Sequence, residues 1–337
     1  MTILNWNGTE HLGTFLQNVV DCSKEHAKVY VIDNGSTDDS MKIAEAIPDV
    51  ECIYLPENYG FAKGYNLGLE QIKADVFVLL NSDVEVTPNW IPPVLNYMES
   101  ANLAACQPKV LSYHEKDKFE YAGAGGGFLD KDGFVFCAGR IFDQHELDHG
   151  QYDENREVFW ASGASLFIRS HVYKSVDGLD EDFFAHMEEI DLCWRIKNRG
   201  HRVGACMQSI VYHVGGGTLN KINPFKTFLN FRNSLFMITK NEFQKPLAYQ
   251  IFRRMILDGI AGVRFLLEGN WVYTKAVLKA HGSFYKMLSK MMGKRKVENR
   301  ARQNTNLTGL YLKSIIFAYY VKKKSKFSHL YPNNFHS

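Results

Sequence analysis

Long apolar runs are missing from this sequence. No stretch approaches the roughly 18–20 apolar residues that a membrane-spanning helix needs. The longest late one, SIIFAYYV at 314–321, has eight. The amino terminus, MTILNWNG, is too short and too polar to read as a signal peptide. The six cysteines are scattered, with no CxxC and no paired spacing. That pattern speaks against a disulfide framework and makes a reducing, cytoplasmic compartment the expectation. No Gly-Lys-Ser/Thr follows the glycines of segment 60–69, and no GxGxxG opens a helix near the first strand. Kinase and dehydrogenase readings are weakened accordingly. Acid is scarce in the last third: residues 219–337 carry 22 Lys/Arg against 4 Asp/Glu, a balance of +18. Residues 1–218 carry 17 against 33, a balance of −16, so the overall charge of +2 hides two dissimilar parts.

What is present alternates between strand and helix signals. TILNW (2–6), VYVID (29–33), ECIYL (51–55) and DVFVLLN (75–81) read as strands, with helical stretches between them. NGSTDDS (34–40) reads as a loop entering a helix, with Ser36 or Thr37 as its N-cap. Such alternation predicts right-handed βαβ units and an open, doubly wound sheet, whose ligands bind beyond the carboxyl ends of the strands. Asp33 and the triplet Asn81, Ser82, Asp83 fall at those ends. Residues 105–160 are Gly-rich and read as loops and hairpins, and the chain from about Pro224 reads as helices.

Several residues could carry chemistry. Asp83 follows an apolar strand, where an Asp either caps a turn or holds a hard divalent ion that binds phosphate oxygens. One carboxylate is a thin shell, and His213, at another strand end, is the candidate second ligand; the other reading is that it packs or caps there. Gly60, Gly64 and Gly68 recur every fourth residue, for close approach to a neighbouring element or a ligand. HMEEIDLCWR (186–195) sets Glu188, Asp191 and Arg195 on one helix face, with Ile190, Cys193 and Trp194 on the buried one. Clustered carboxylates there could raise one another's pKa, as a general base requires; acids also simply favour a helix start.

In order along residues 1–240, TILNWNG (2–8), VIDNGSTDDS (31–40), ENYGFAKGYNLGL (57–69), VLLNSDVEVTPNW (78–90), WASGASLFIR (160–169), GLDEDFFAHMEEIDLCWRIKNRG (178–200) and VYHVGGGT (211–218) resemble the glycosyltransferase family 2 enzymes, particularly their rhamnosyltransferase-like members. The resemblance implies an α/β glycosyltransferase A-type fold, a Rossmann-like, mostly parallel sheet flanked by helices, with a basic helical C-terminal extension. It implies a nucleoside-diphosphate-sugar donor, dTDP- or UDP-linked, a divalent metal (Mn2+ or Mg2+), and a glycan or lipid-linked acceptor in surface polysaccharide synthesis. By that resemblance Asn5, Asp33, Asn58, Gly60, Lys63, Asn81 and Ser82 bind the donor. Asp83 and His213 hold the metal, and Trp160, Gly163 and Glu188 shape the acceptor and sugar pocket. Glu189 with Asp191 carries the catalysis, Glu189 as base of an inverting displacement. The sequence departs from the family pattern in reading NSD where a DxD stands, and Glu189 where Asp is usual. Those departures keep a catalytically impaired, binding-only member as an alternative; a nucleotidyltransferase is a further rival, disfavoured because ILNWNG is no Gly-rich phosphate loop.

The expected division is 1–222 as the nucleotide-sugar-binding catalytic domain and 223–337 as a basic region for acceptor or membrane. Phe284, Met287, Leu288 and Met291 at helical spacing, beside Lys286, Lys290 and Lys294, suggest a face lying on an anionic membrane, and KKKSK adds attraction. Packing on the core or homo-oligomerisation competes with that reading, and nucleic acid is not expected as a partner. The expected place is the cytoplasm, peripheral on the cytoplasmic face of the inner membrane.

Overall fold

The computed structural model describes residues 1–120, 123–215 and 223–336. The chain runs β1 (Thr2–Asn5), α1 (Thr9–Ser23), β2 (Val29–Asn34), α2 (Ser40–Glu45), β3 (Val50–Leu55), α3 (Gly60–Glu70) and β4 (Val76–Leu80). It continues through β5 (Val84–Val86), α4 (Ile91–Ser100), β6 (Ala105–Ser112), β7 (Gly127–Asp130), β8 (Val135–Cys137), β9 (Arg140–Ile141) and β10 (Gln144–His145). Then come β11 (Arg156–Glu157), β12 (Ser165–Arg169), α5 (Ser170–Ser175), α6 (Glu188–Asn198) and β13 (Val203–His213). Three long helices follow, α7 (Pro224–Asn241), α8 (Leu247–Leu267) and α9 (Trp271–Ala301), before β14 (Leu310–Tyr311).

The main sheet has the order β11-β13-β6-β12-β4-β1-β2-β3, with β5 paired onto β13. Its β4-β1-β2-β3 half is parallel, as the βαβ pattern predicts. The other half is mixed rather than mostly parallel, because β12 lies antiparallel between β4 and β6. β6 falls in the segment expected to be irregular; its register against β12 and β13 buries nearly all of it, a tertiary gain invisible in its polar, Pro-containing sequence. Pleating sends alternate residues to opposite layers. Phe77 and Leu79 join the core under α3 and α6, while Val78 and Leu80 join the one under α1 and α4.

The glycine stripe of α3 is explained by that packing. A Cβ on Gly64 would sit 2.9 Å from Leu4, and one on Gly68 2.3 Å from Ile32. The expected N-cap of α2 is displaced to Asp39, because Asp38 instead ties the loop to α1 by accepting from Thr9 and Ser40. α6 has no exposed acidic face either: Glu188, Asp191, Arg195, Lys197 and Asn198 are all buried along with its apolar residues.

Residues after 222 share the core of those before it. Leu235, Phe236, Met237, Phe284, Met291, Tyr311 and Ile315 belong to the same apolar cluster as Phe183, Ile190 and Ile196. β14 also extends the small sheet β10-β9-β8-β7-β14. This corrects the expected membrane face on α9. Phe284 and Met291 are fully buried, and Met287 and Leu288 pack against the same cluster, so that stripe faces protein. No helix among the described residues is long and apolar enough to cross a membrane.

Candidate active site

The parallel strands β1, β2 and β4 end together, and so bring Asn5, Asp33 and Asn81–Asp83 to one edge. His213 reaches that edge through backbone pairing. β5 leaves the 81–83 corner and runs antiparallel to β13, setting His213 opposite Val84, and the Val214 amide donates to the Asp83 carbonyl at 3.0 Å. Residues 130 apart in sequence thus meet: His213 Nε2 lies 3.2 Å from Asp83 Oδ1 and 3.4 Å from Asn81 Nδ2.

A second carboxylate, not singled out in the sequence, completes the group. Glu120 Oε2 is 3.3 Å from His213 Nδ1, an ion-pairing distance without hydrogen-bond alignment. All three side chains are buried. Burial alone would raise the Asp83 carboxyl, but the His213 charge and hydrogen bond outweigh it and hold it below its ordinary value. Burial alone would lower the His213 imidazole, which Asp83 and Glu120 instead push up to about 10.

The donor set suits a hard divalent ion. A carboxylate oxygen and an imidazole nitrogen about 3 Å apart match two adjacent arms of roughly 2.1 Å each. A carboxylate behind the far ring nitrogen is the usual support of a ligating histidine. Among the described residues no three His, Cys, Asp or Glu side chains form a complete protein cage. Mg2+-like ions keep waters and phosphate oxygens in such open positions.

The other donor-side residues divide. Asp33 is buried at the end of β2, where its side chain accepts from the Ser36 amide at 3.1 Å. Asn5 does not face the open edge. It is 1 % exposed and donates to the Ser36 and Ser40 hydroxyls, so it braces the loop, while its Oδ1 has no hydrogen-bond partner. Asn58 accepts from Asn34 and from the Gly60 amide, which sets the start of α3. Gly60 has φ +77° and lies against the Phe184 ring; a Cβ there would come within 3.2 Å of it. Lys63 is half-buried with its ammonium 4.7 Å above the Tyr59 ring, and Ser82 is half-buried at the corner.

Glu189, second residue of α6, is half-buried and stands beside Gly163; a Cβ there would touch Glu189 Cβ at 3.6 Å and Cγ at 3.7 Å. The next residue, Ala164, accepts from the Asn81 amide at 3.0 Å. Glu189 is thereby tied to the corner carrying Asp83. Burial pushes its carboxyl up to about 7, and its Oε2 has no hydrogen-bond partner. Glu188 is buried too, and desolvation followed by the charge of Glu189 pushes it well above its usual value.

Two expected site residues are structural. Asp191 is fully buried and binds Arg195, Lys240 and Asn241, each at 2.8 Å, because its face of α6 meets α7 rather than substrate. Trp160 is 3 % exposed, stacks over Gly127 and donates its indole N–H to the Phe128 carbonyl at 3.0 Å, so it is core rather than a sugar platform.

The loop before Glu189 is strained. Phe184, His186 and Met187 all have φ near +70°, a conformation that costs non-glycine residues free energy and persists only where the surroundings enforce it. Asn233 of α7 supplies that restraint: its amide donates to the carbonyls of Phe183, Ala185 and His186 at 3.0, 2.9 and 2.8 Å. Sequence reasoning missed Asn233 and Lys240. The available signal for Asn233 was the Arg-Asn-Ser step between the apolar residues of α7.

Comparison with known proteins finds similarity to glycosyltransferases. A sequence model of glycosyl transferase family 2 matches residues 3–146. The low-salt glycan biosynthesis hexosyltransferase Agl10 of Haloferax volcanii is 22 % identical over 250 residues, covering 72 % of this chain and 77 % of that protein. The N-acetylglucosaminyl-diphospho-decaprenol L-rhamnosyltransferase of Mycobacterium tuberculosis is 24 % identical over 228 residues, 56 % of this chain and 67 % of that one. Among solved structures, GalNAc-T7 with UDP, GalNAc and Mn2+ superposes with a TM-score of 0.61 at 14 % identity. That match covers 98 % of this chain but only 57 % of the longer protein, and it is a likeness of fold.

Proposed function

We propose, from the match of residues 3–146 to the glycosyl transferase family 2 model, that the chain transfers a sugar, with inversion, from a nucleoside-diphosphate sugar to a hydroxyl of a glycan or lipid-linked glycan. Its fold is the glycosyltransferase A type. The names of the hexosyl- and rhamnosyltransferase relatives support a hexose or deoxyhexose as the group moved. The observation that carries the reading is the convergence of Asp83 and His213 with Glu189 through the Asn81–Ala164 contact.

Asp83 and His213 would hold a divalent ion, which when bound supplies positive charge to the departing diphosphate. The protein's own residues do the rest. Asp33, at the edge of the parallel strands, accepts a hydrogen bond from the donor's base. Glu189 takes the proton of the acceptor hydroxyl as its oxygen forms the bond to the anomeric carbon. The bond from that carbon to the phosphate oxygen breaks, and its electron pair leaves with the nucleoside diphosphate. One displacement inverts the centre. A carboxyl with a pKa of about 7 suits the task, being ionised at working pH yet basic enough to accept a proton.

The test is release of nucleoside diphosphate from UDP-, dTDP- and GDP-sugars with manganese present. Turnover of one donor is expected, with a loss of about 10²-fold or more in both Asp83→Ala and Glu189→Gln. An inert wild-type protein across the panel would overturn the reading.

A further inference from the structure

Helix α8 is built inside out. Its buried positions, Gln250, Arg254, Asp258 and Gly262, recur every fourth residue and include no apolar side chain larger than glycine. Gln250 and Arg254 fasten the helix to the β7–β8 turn, with Ile251 and Met255 partly buried against the core beside them. Gln250 donates to the Lys131 carbonyl and Arg254 to that of Gly133, each at 2.9 Å, while Asp258 pairs with Arg254 at 2.8 Å. The outward face carries Phe252, Ile256, Ile260, Val263 and Leu267, between 48 % and 83 % exposed. Spaced 4, 4, 3 and 4 apart, they form one stripe along a helix of 21 residues, about 31 Å long. A helix packed on a protein normally turns such a stripe inward. An apolar face of this length left outside marks an interaction surface.

The rim says what the surface meets. Trp271 is 57 % exposed just beyond α8, with the Lys275 ammonium 5.1 Å above its ring. Arg264 reaches across to the Tyr320 hydroxyl at 2.8 Å, joining α8 to the turn that carries exposed Phe317, Lys322 and Lys323. The four acids after residue 218 are already engaged: Glu242, Asp258, Glu268 and Glu298 each have a cation within 3.9 Å. An apolar centre with aromatic and cationic borders therefore faces out, and every acid after residue 218 is already paired with a cation.

We propose that this face lies in the headgroup region of an anionic lipid membrane, with α8 parallel to the surface. Lipid phosphates complement the basic rim, and acyl chains accept the apolar stripe. A second copy docked by the same face would set that rim against itself across a twofold axis. The proposal does not depend on sugar transfer, since vesicle binding is read without any donor.

Flotation of the full chain with vesicles of phosphatidylcholine alone, or with roughly 30 % phosphatidylglycerol added, tests it. Binding to the anionic vesicles is expected. The double change Ile256→Glu with Ile260→Glu should lower the partition at least about tenfold. Lys322→Ala with Lys323→Ala should lower it about 25-fold, since each basic residue near such a surface contributes roughly fivefold. All four positions are exposed, so both variants should melt like the wild type. A wild-type protein that stays unbound, a glutamate variant that floats normally, or a dimer that the glutamates dissolve would each overturn the proposal.

Discussion

At the scale of single residues, position in the chain was readable and environment was not. Asp83 and His213 stand out in sequence as polar residues ending apolar strands, and they do meet. Their meeting depends on the β5–β13 register, which a three-residue strand, Val84–Val86, does not announce. Asp191 and Glu189 look equivalent in the string EEID. Two residues on a helix are about 200° apart, so one stands beside Gly163 and the other faces α7. That difference in environment gives a pH signature. With burial holding Glu189 at about 7, the base is protonated below that pH and ionised above it. We expect kcat/KM to rise about tenfold per pH unit up to about 7 and then level. Glu189→Gln should flatten that limb as well as lower the rate. A wild-type profile that is already level at pH 5 would remove Glu189 from the role of base.

At the scale of elements, long periodic segments were legible and short contact-dependent ones were not. α1, α3 and the parallel strands lie where apolar periodicity puts them. β6 owes its place to pairing with distant strands, whereas β12 lies within the apolar run 158–169 that reads as a strand; Trp160 owes its burial to a missing side chain at Gly127. The joint between α6 and the C-terminal helices was wholly hidden, because its partners lie 49 to 114 residues apart. There Lys240 binds Asp180 and Asp191 while Lys294 binds Asp180 and Asp182, nearly all out of water. Removing one member of such a group strands buried charge. Lys240→Met is expected to cost about 3–5 kcal/mol, a fall in Tm on the order of 10 °C, with activity lost alongside because α6 carries Glu189. Lys28→Met is the control: its pair with Glu51 is exposed on both sides, and such pairs leave stability nearly unchanged. Equal melting of the two variants would show the buried network to be energetically idle.

At the scale of the whole molecule, the charge asymmetry of the sequence suggested two parts, and the packing joins them. The acidic part supplies Asp180, Asp182 and Asp191; the basic part answers with Lys240, Lys290 and Lys294. Complementary charge between the two stretches is therefore partly internal, and only the remainder is left for outside partners. The apolar side agrees, since Phe236 and Phe284 lie in one cluster with Phe183. A fragment of residues 1–222 would lose the lysines that neutralise its buried carboxylates, the amide of Asn233 that holds the loop before Glu189, and the apolar cover of α6. Each loss is of the kind that costs several kcal/mol, and together they rival the entire stability of a typical domain. We expect the fragment to be insoluble, or to bind a hydrophobic dye and melt without a cooperative transition, while the full chain melts sharply. A fragment that unfolds cooperatively within a few degrees of the full chain would establish the boundary at 222 as a true domain division. The C-terminal helices would then be an attachment to the catalytic site rather than part of its wall.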